Sequence, residues 1–285
     1  MKPAPQKRYL PDGRRLHLHH GPIDLIVDAT GPDRDRALCA AAARFDSILQ
    51  ELVDELAPLR QPITEKPVLR GQVARAMCDA ATAFAPRFIT PMAGVAGAVA
   101  DEILRAMADG AKLQTAYVNN GGDVAFHIAE GQQIVAAIAG AAQNRAVIPC
   151  DSPVRGVATS GWRGRSYSLG IADNVTVLAP TAVRADVAAT MIANHVDLPG
   201  HPNIRREPAS NLSPDSDLGD RLITVDVGPL PEPDISNALD RGEGFARQCV
   251  ASGHICAALL TLRGATRIAG DVSQIEQLRK ENCHA

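Results

Sequence analysis

Aromatic residues are scarce, at 3% of 285 residues, with one tryptophan, three tyrosines and five phenylalanines. That excludes a row of stacking platforms for nucleic-acid bases. Alanine, valine, leucine and isoleucine must fill the core instead. A surplus of one charge sign is also missing. Twenty-nine Lys and Arg face 32 Asp and Glu, for a net charge of −3. Neither nucleic acid nor an anionic membrane surface is an expected partner. The six cysteines (39, 78, 150, 249, 256 and 283) are scattered and form no Cys-x-x-Cys pair. A clustered zinc site is therefore excluded, and reduced thiols are expected. Long apolar runs are absent too. The longest, residues 91–100, stops at Asp101 and Glu102, too short to cross a bilayer. The first twenty residues lack the apolar centre of a signal peptide. A cytoplasmic protein is expected.

What is present suits a globular α/β protein, an α+β mixed sheet with packed helices. Hydrophobic residues make up 46% and charged residues 21%, enough to bury a large core. Alternation over residues 15–30 predicts two strands around Gly21-Pro22. Helical spacing predicts helices over 33–57 and 68–85, with a loop at 58–67. Thr90 is an expected N-cap, Pro91 the first helical residue and Gly110 the stop. Strands are expected at 115–118, 124–128, 134–138, 156–159, 167–171 and 175–178, then a helix at 182–195. Residues 197–221, rich in Pro, Asp, Ser and Arg, read as an exposed loop or insertion. A strand at 222–227, a helix at 235–251, a hairpin through 257–262 and 266–269, and a short terminal helix complete a single domain over 1–285.

Four segments carry candidate chemistry. The capped helix start Ile89 to Ala98 presents small residues and free amides, suited to an anion or a flat ligand. Gly94 and Gly97 equally suit plain helix packing. Asn119-Asn120-Gly121-Gly122-Asp123 allows close backbone approach to a ligand, and is equally a hairpin turn. Thr159-Ser160-Gly161, followed by Trp162, Arg163 and Arg165, suits a phosphate or carboxylate, or is a solvated basic loop. It lacks the Gly-x-Ser-x-Gly nucleophile elbow. Asp186 and Thr190 stand at i, i+4 on one helix face and suit a hard cation such as Mg²⁺. In the alternative, Thr190 bonds back into its own helix and Asp186 is solvated. His17 and His19 share a strand face, but nothing completes a metal site there.

Together, in order, residues 94–101 (Gly-Val-Ala-Gly-Ala-Val-Ala-Asp), 118–123 (Val-Asn-Asn-Gly-Gly-Asp), 159–161 (Thr-Ser-Gly) and 175–190 resemble the ApbE family of FAD:protein FMN transferases. The likeness is closer to an uncharacterised ApbE-like branch that shares the start His-Gly-Pro-Ile-Asp-Leu, and it covers most of residues 15–195. The resemblance implies an ApbE-like fold with FAD or a related nucleotide and Mg²⁺ as cofactors. Asp186 and Thr190, with a carbonyl near Val95, would hold the metal. Asn119, Gly121, Gly122, Asp123, Thr159, Ser160 and Gly161 would line the nucleotide site, with Arg163 and Arg165 beside its phosphates.

The sequence departs from the family in three places. The family lysine falls on Ala96, the lipoprotein export signal is missing, and a histidine segment is replaced by Ser166 to Gly170. Two functions are carried forward. One is an FMN-transferase-like enzyme that cleaves the FAD pyrophosphate, its catalytic residues unknown. The other is a non-catalytic flavin- or nucleotide-binding protein recruited to another pathway such as sulfur metabolism. A small-molecule nucleotide is the expected partner, and the assembly is left between monomer and homodimer.

Overall fold

The computed structural model describes residues 4–137, 144–271 and 275–277. Three strands open the chain: β1 (Gln6–Tyr9), β2 (Leu16–His20) and β3 (Ile23–Thr30). Leu16, Leu18, Ile23, Leu25 and Val27 are buried at every second position, as a half-covered sheet demands. Next come α1 (Arg34–Asp54), α2 (Leu56–Leu59) and α3 (Gln72–Thr82). Along α1, Ala37, Leu38, Ala41, Phe45, Ile48 and Leu52 recur at helical spacing and are all buried. A single 3₁₀ turn, Pro91–Gly94, leads into α4 (Val95–Ala108).

Five strands follow: β4 (Thr115–Asn120), β5 (Asp123–Ile128), β6 (Gln133–Ala137), β7 (Asn144–Pro149) and β8 (Gly156–Ser160). Then come β9 (Asn174–Ala179), α5 (Ala182–His195), β10 (Ile204–Pro208), α6 (Ala209–Leu212) and β11 (Leu222–Val227). The last elements are α7 (Glu232–Ala251), β12 (Ala257–Leu262), β13 (Ala265–Gly270) and β14 (Ile275–Gln277).

Nine strands form one antiparallel sheet in the order β1-β2-β3-β4-β5-β8-β9-β12-β13. One face packs on helices. Ala125, Ala158, Val175, Val177 and Ala258 point there and join buried residues of α1, α3, α4, α5 and α7. Their sequence neighbours Phe126, Val157, Leu178, Ala257 and Leu259 point the other way and meet Ala146 and Ile148 of β7. A small sheet, β14-β7-β6, thus covers part of the second face. The mixed α/β architecture is the one the sequence predicts.

Several local expectations are corrected. The helix expected at 68–85 is shorter, Gln72–Thr82. Thr90 precedes a 3₁₀ turn rather than an α-helix, and its hydroxyl donates to Asp217 instead of capping. Residues 167–171 are not a strand. Their backbone bonds go to α5: Leu169 N–H to the Asn194 side chain, and Ile171 N–H to Val196 O. The segment 197–221 is not a plain loop, because β10 pairs with β11 inside and beyond it. Strands β1 and β7 were not expected. The predicted terminal helix lies outside the described residues, apart from β14, which pairs with β7. The five described cysteines form no disulfide, and Cys283 lies outside the described residues. No described helix is long and apolar enough to cross a membrane.

Candidate functional site

Two helix N-termini meet beside the sheet, and each helix supplies a carboxylate to the other. Asp101 of α4 accepts the N–H groups of Ala182 (3.0 Å) and Val183 (2.8 Å), the first residues of α5. Asp186 of α5 accepts the N–H of Gly97 (2.9 Å) and that of Ala96, in the first turn of α4. Unpaired amides and the positive helix end favour both placements. Thr181 adds a side-chain cap to α5, accepting from Arg184 N–H at 3.3 Å.

Small residues make this crossing possible. A Cβ on Gly97 would come within 2.4 Å of Ala182 O, and one on Gly94 within 2.6 Å of Val187 Cγ2. Gly94 and Gly97 therefore face α5. The expectation that they admit a ligand to the backbone is corrected: the packing helix fills that space.

The β4–β5 turn reaches the same place. Gly121 and Gly122 hold positive φ, +65° and +118°, as a two-residue hairpin turn requires. Asn119 Oδ1 accepts Gly122 N–H at 2.9 Å, so this side chain shapes the turn. Its neighbour Asn120 is buried and donates from Nδ2 to Ala96 O at 3.1 Å. Asp123 Oδ1 accepts Thr159 N–H at 3.2 Å, which ties the turn to the end of β8. Thr159 Oγ1 lies 2.9 Å from Thr176 Oγ1.

Carboxyl groups dominate the electrostatics. Burial pushes Asp186 well above the usual carboxylate range, the nearby Asp123 charge pushes the same way, and the Gly97 and Ala96 amides oppose them. Burial raises Asp123 to about 6, against the Thr159 amide and the Arg165 charge. Burial likewise raises Asp101 to about 6, against its two amide donors. Thr190 lies one turn beyond Asp186 on α5 and is half-buried. Its hydroxyl has no partner among the described residues, so the bond back into its own helix is not formed.

The two loop arginines part company. Arg165 lies against the turn: a Cβ on Gly121 would come within 1.8 Å of its Nη2. Arg163 points elsewhere, with Nε 3.4 Å from Asp173 and its guanidinium 4.9 Å from the Trp162 ring centre. The structure thus groups Asp123, Arg165, Asp186 and the Gly121-Gly122 turn, with Thr159 tied to Asp123. Val95 opens α4, but the carbonyl bonded to Asn120 belongs to its neighbour Ala96. Sequence reasoning missed Asn120 and Asp101. For Asn120 the usable signal was register, since it sits opposite Asp123 across the turn.

The donors suit a hard divalent cation. Two buried carboxyls, Asp123 and Asp186, act on each other's surroundings, and the Thr190 hydroxyl stands a turn away; all three offer oxygen. Among the described residues no three His, Cys, Asp or Glu side chains are grouped as metal ligands. A cation here would draw on hydroxyl or backbone oxygen as well.

A family model described as AbpE bacteria matches residues 7–268. A UPF0280 protein of Methanothrix thermoacetophila is 32% identical over 156 residues, covering 53% of this chain and 61% of that protein. One from Archaeoglobus fulgidus is 32% identical over 156 residues, covering 54% and 64%. One from Methanosarcina acetivorans is 39% identical over 116 residues, covering 39% and 44%. The chain therefore spans less than two thirds of the length of these relatives. Among solved structures, the apo form of the Pseudomonas stutzeri flavinyl transferase ApbE aligns with 93% of this chain and 94% of that one. The identity is 13% and the TM-score 0.48.

Proposed function

The chain belongs to the ApbE-like superfamily, and from that premise we propose that it binds FAD or a related nucleotide together with Mg²⁺. The observation that carries this is the pairing of Asp123 and Asp186. They come from different elements, the Asp123 charge raises the proton affinity of Asp186, and burial penalises both charges. Stability alone does not select such a pair. A bound cation relieves it.

Asp186 and Thr190, with backbone carbonyl at the start of α4, would hold the metal. When bound, Mg²⁺ supplies charge neutralisation at a pyrophosphate and so lowers the cost of a leaving phosphate. The chain's own residues do the rest. Arg165 presents a guanidinium over the Gly121 backbone, where phosphate oxygens can bond it. The Gly121-Gly122 turn, having no side chains, admits the nucleotide close to the main chain. Asp123 keeps Thr159 and the β8 end fixed against that turn. Arg163 is assigned a supporting part: it holds Trp162 and Asp173 rather than phosphate. The proposed setting is cytoplasmic.

A second reading, nucleotide binding without transfer, is favoured by Ala96, which stands where the family has lysine. Calorimetric titration of FAD, with and without Mg²⁺, tests the binding common to both readings. Wild type should bind more tightly with Mg²⁺, and Asp186→Ala should lose that gain. Equal affinity in all four titrations would remove the metal from the site.

A further inference from the structure

A second cleft, of about 520 Å³, opens at the far end of α5 between that helix, the segment before Thr90 and the β10–β11 pair. That volume is in the range of small-molecule sites. Three arginines, Arg87, Arg206 and Arg221, line it. Only Arg206 has a carboxylate partner, Asp197, and that ion pair ties β10 to the end of α5. Arg87 and Arg221 have none among the described residues. Instead each lies over an aromatic ring: Arg87 is 4.9 Å from the centre of Phe245, and Arg221 is 3.2 Å from the centre of Phe88. Such stacking holds a guanidinium flat while leaving its N–H edge free.

Other walls of the cleft also supply donors. Asn194 Oδ1 accepts from Leu169 N–H (2.9 Å) and Ser168 Oγ (3.3 Å), which leaves its Nδ2 to donate. His195 lines the cleft and stacks on Phe245 at 3.7 Å. Burial and the Arg87 charge hold its pKa below the usual value, so it adds no third positive charge at neutral pH. The cleft therefore carries two uncompensated positive charges, N–H donors and an apolar wall of Phe88 and Leu222.

We propose that this cleft binds a phosphate monoester with a flat or apolar body. A phosphate dianion matches the two free guanidinium charges, and planar N–H forks suit its oxygens. The body would lie against Phe88. This site is separate from the carboxylate pair. Asn194 stands eight residues beyond Asp186, roughly 12 Å along the helix at 1.5 Å per residue.

The test titrates phenyl phosphate and inorganic phosphate into the full chain without divalent ions, followed by calorimetry. Wild type should bind both saturably, and phenyl phosphate more tightly. The double variant Arg87→Gln/Arg221→Gln should bind phenyl phosphate at least about tenfold more weakly, the effect of losing one or two charge-assisted bonds. Both arginines reach solvent, and Gln retains part of each stem, so the fold is kept. Lysine at both positions should restore part of the affinity. Asp186→Ala should bind as wild type does, which separates this cleft from the proposed metal site. The proposal is overturned if wild type binds neither compound, if the Gln variant binds equally well, or if Asp186→Ala abolishes binding. Equal affinity for the two compounds would overturn the seat for an apolar body on Phe88.

Discussion

Replacing Asp123 with asparagine should make the ligand-free protein more stable at neutral pH. Burial holds this carboxyl at about 6, against 3.8 for an ordinary aspartate. The folded protein thus binds the proton more tightly than the unfolded chain. The stability contributed by this group falls as pH rises from 3.8 to about 6, and stays low above that. Each tenfold change in acidity is about 1.36 kcal/mol, so the cost at pH 7 has a ceiling of about 3 kcal/mol. Water reaching a half-buried carboxyl lowers that to about 1–2 kcal/mol. Asparagine keeps Oδ1 for the Thr159 N–H and removes the charge that faces Asp186. Urea unfolding of both proteins, without divalent ions, measures the effect. At neutral pH the variant should be more stable by about 1–2 kcal/mol, and the gap should shrink on acidification as wild type gains its proton. Added Mg²⁺ should narrow the gap at neutral pH by stabilising wild type. A variant less stable than wild type at neutral pH would refute the reasoning, because Arg165 would then stabilise the charge more than burial penalises it.

Gly97→Ala should cost at least about 1–3 kcal/mol in unfolding experiments, the usual range for overpacking, because its Cβ would meet backbone at 2.4 Å. A melting temperature equal to wild type would show that α4 and α5 can part without cost. Burial holds His195 below its usual value of 6.5 and the Arg87 charge adds to this, so below 6.5 the unfolded chain takes the proton first and stability falls. An NMR titration of the His195 ring should give a midpoint below 6.5, and one above it would contradict the assignment. Transfer of FMN from FAD to a standard acceptor peptide should be weak or absent, since Ala96 supplies no cation for the leaving phosphate; mass spectrometry reads the product, and rapid labelling would show that Ala96 matters little.

Elements with both a period and a boundary signal were legible. Helix α5 spans the 182–195 that the apolar pattern predicts, and the β4–β5 hairpin sits on its Asn-Gly signal. Residues 167–171 misled because Tyr-Ser-Leu-Gly-Ile alternates like a strand. Its backbone instead satisfies α5 through Asn194 and Val196, partners that no local pattern reveals. The same limit hid the exchange of Asp101 and Asp186, whose hydrogen bonds span more than eighty residues. Asn119 and Asn120 are chemically alike, and strand alternation decides between them: Asn119 bonds the turn and Asn120 turns inward to α4. Arg163 and Arg165 were alike for the same reason, and Asp173 separates them.

Ala96 shows how the site's charge is redistributed. Its N–H points at Asp186 and its carbonyl at Asn120, so the main chain at this position serves the carboxylate while the side chain contributes no charge. The cation that acts on Asp123, Arg165, comes from the loop after β8. Arg165 can lie over the turn only because residue 121 has no side chain; a Cβ there would overlap its guanidinium at 1.8 Å. The glycine is needed both for its positive φ and for this close approach. A cation on a helix fixed by two carboxylates stays in place. Arg165 is exposed, and a long exposed side chain can turn aside or close over a bound anion at little cost in packing. Positive charge in this chain therefore arrives on a long exposed side chain and negative charge from buried ones. On the function proposed above, that arrangement suits holding and releasing an anionic ligand better than stabilising charge that builds during its cleavage.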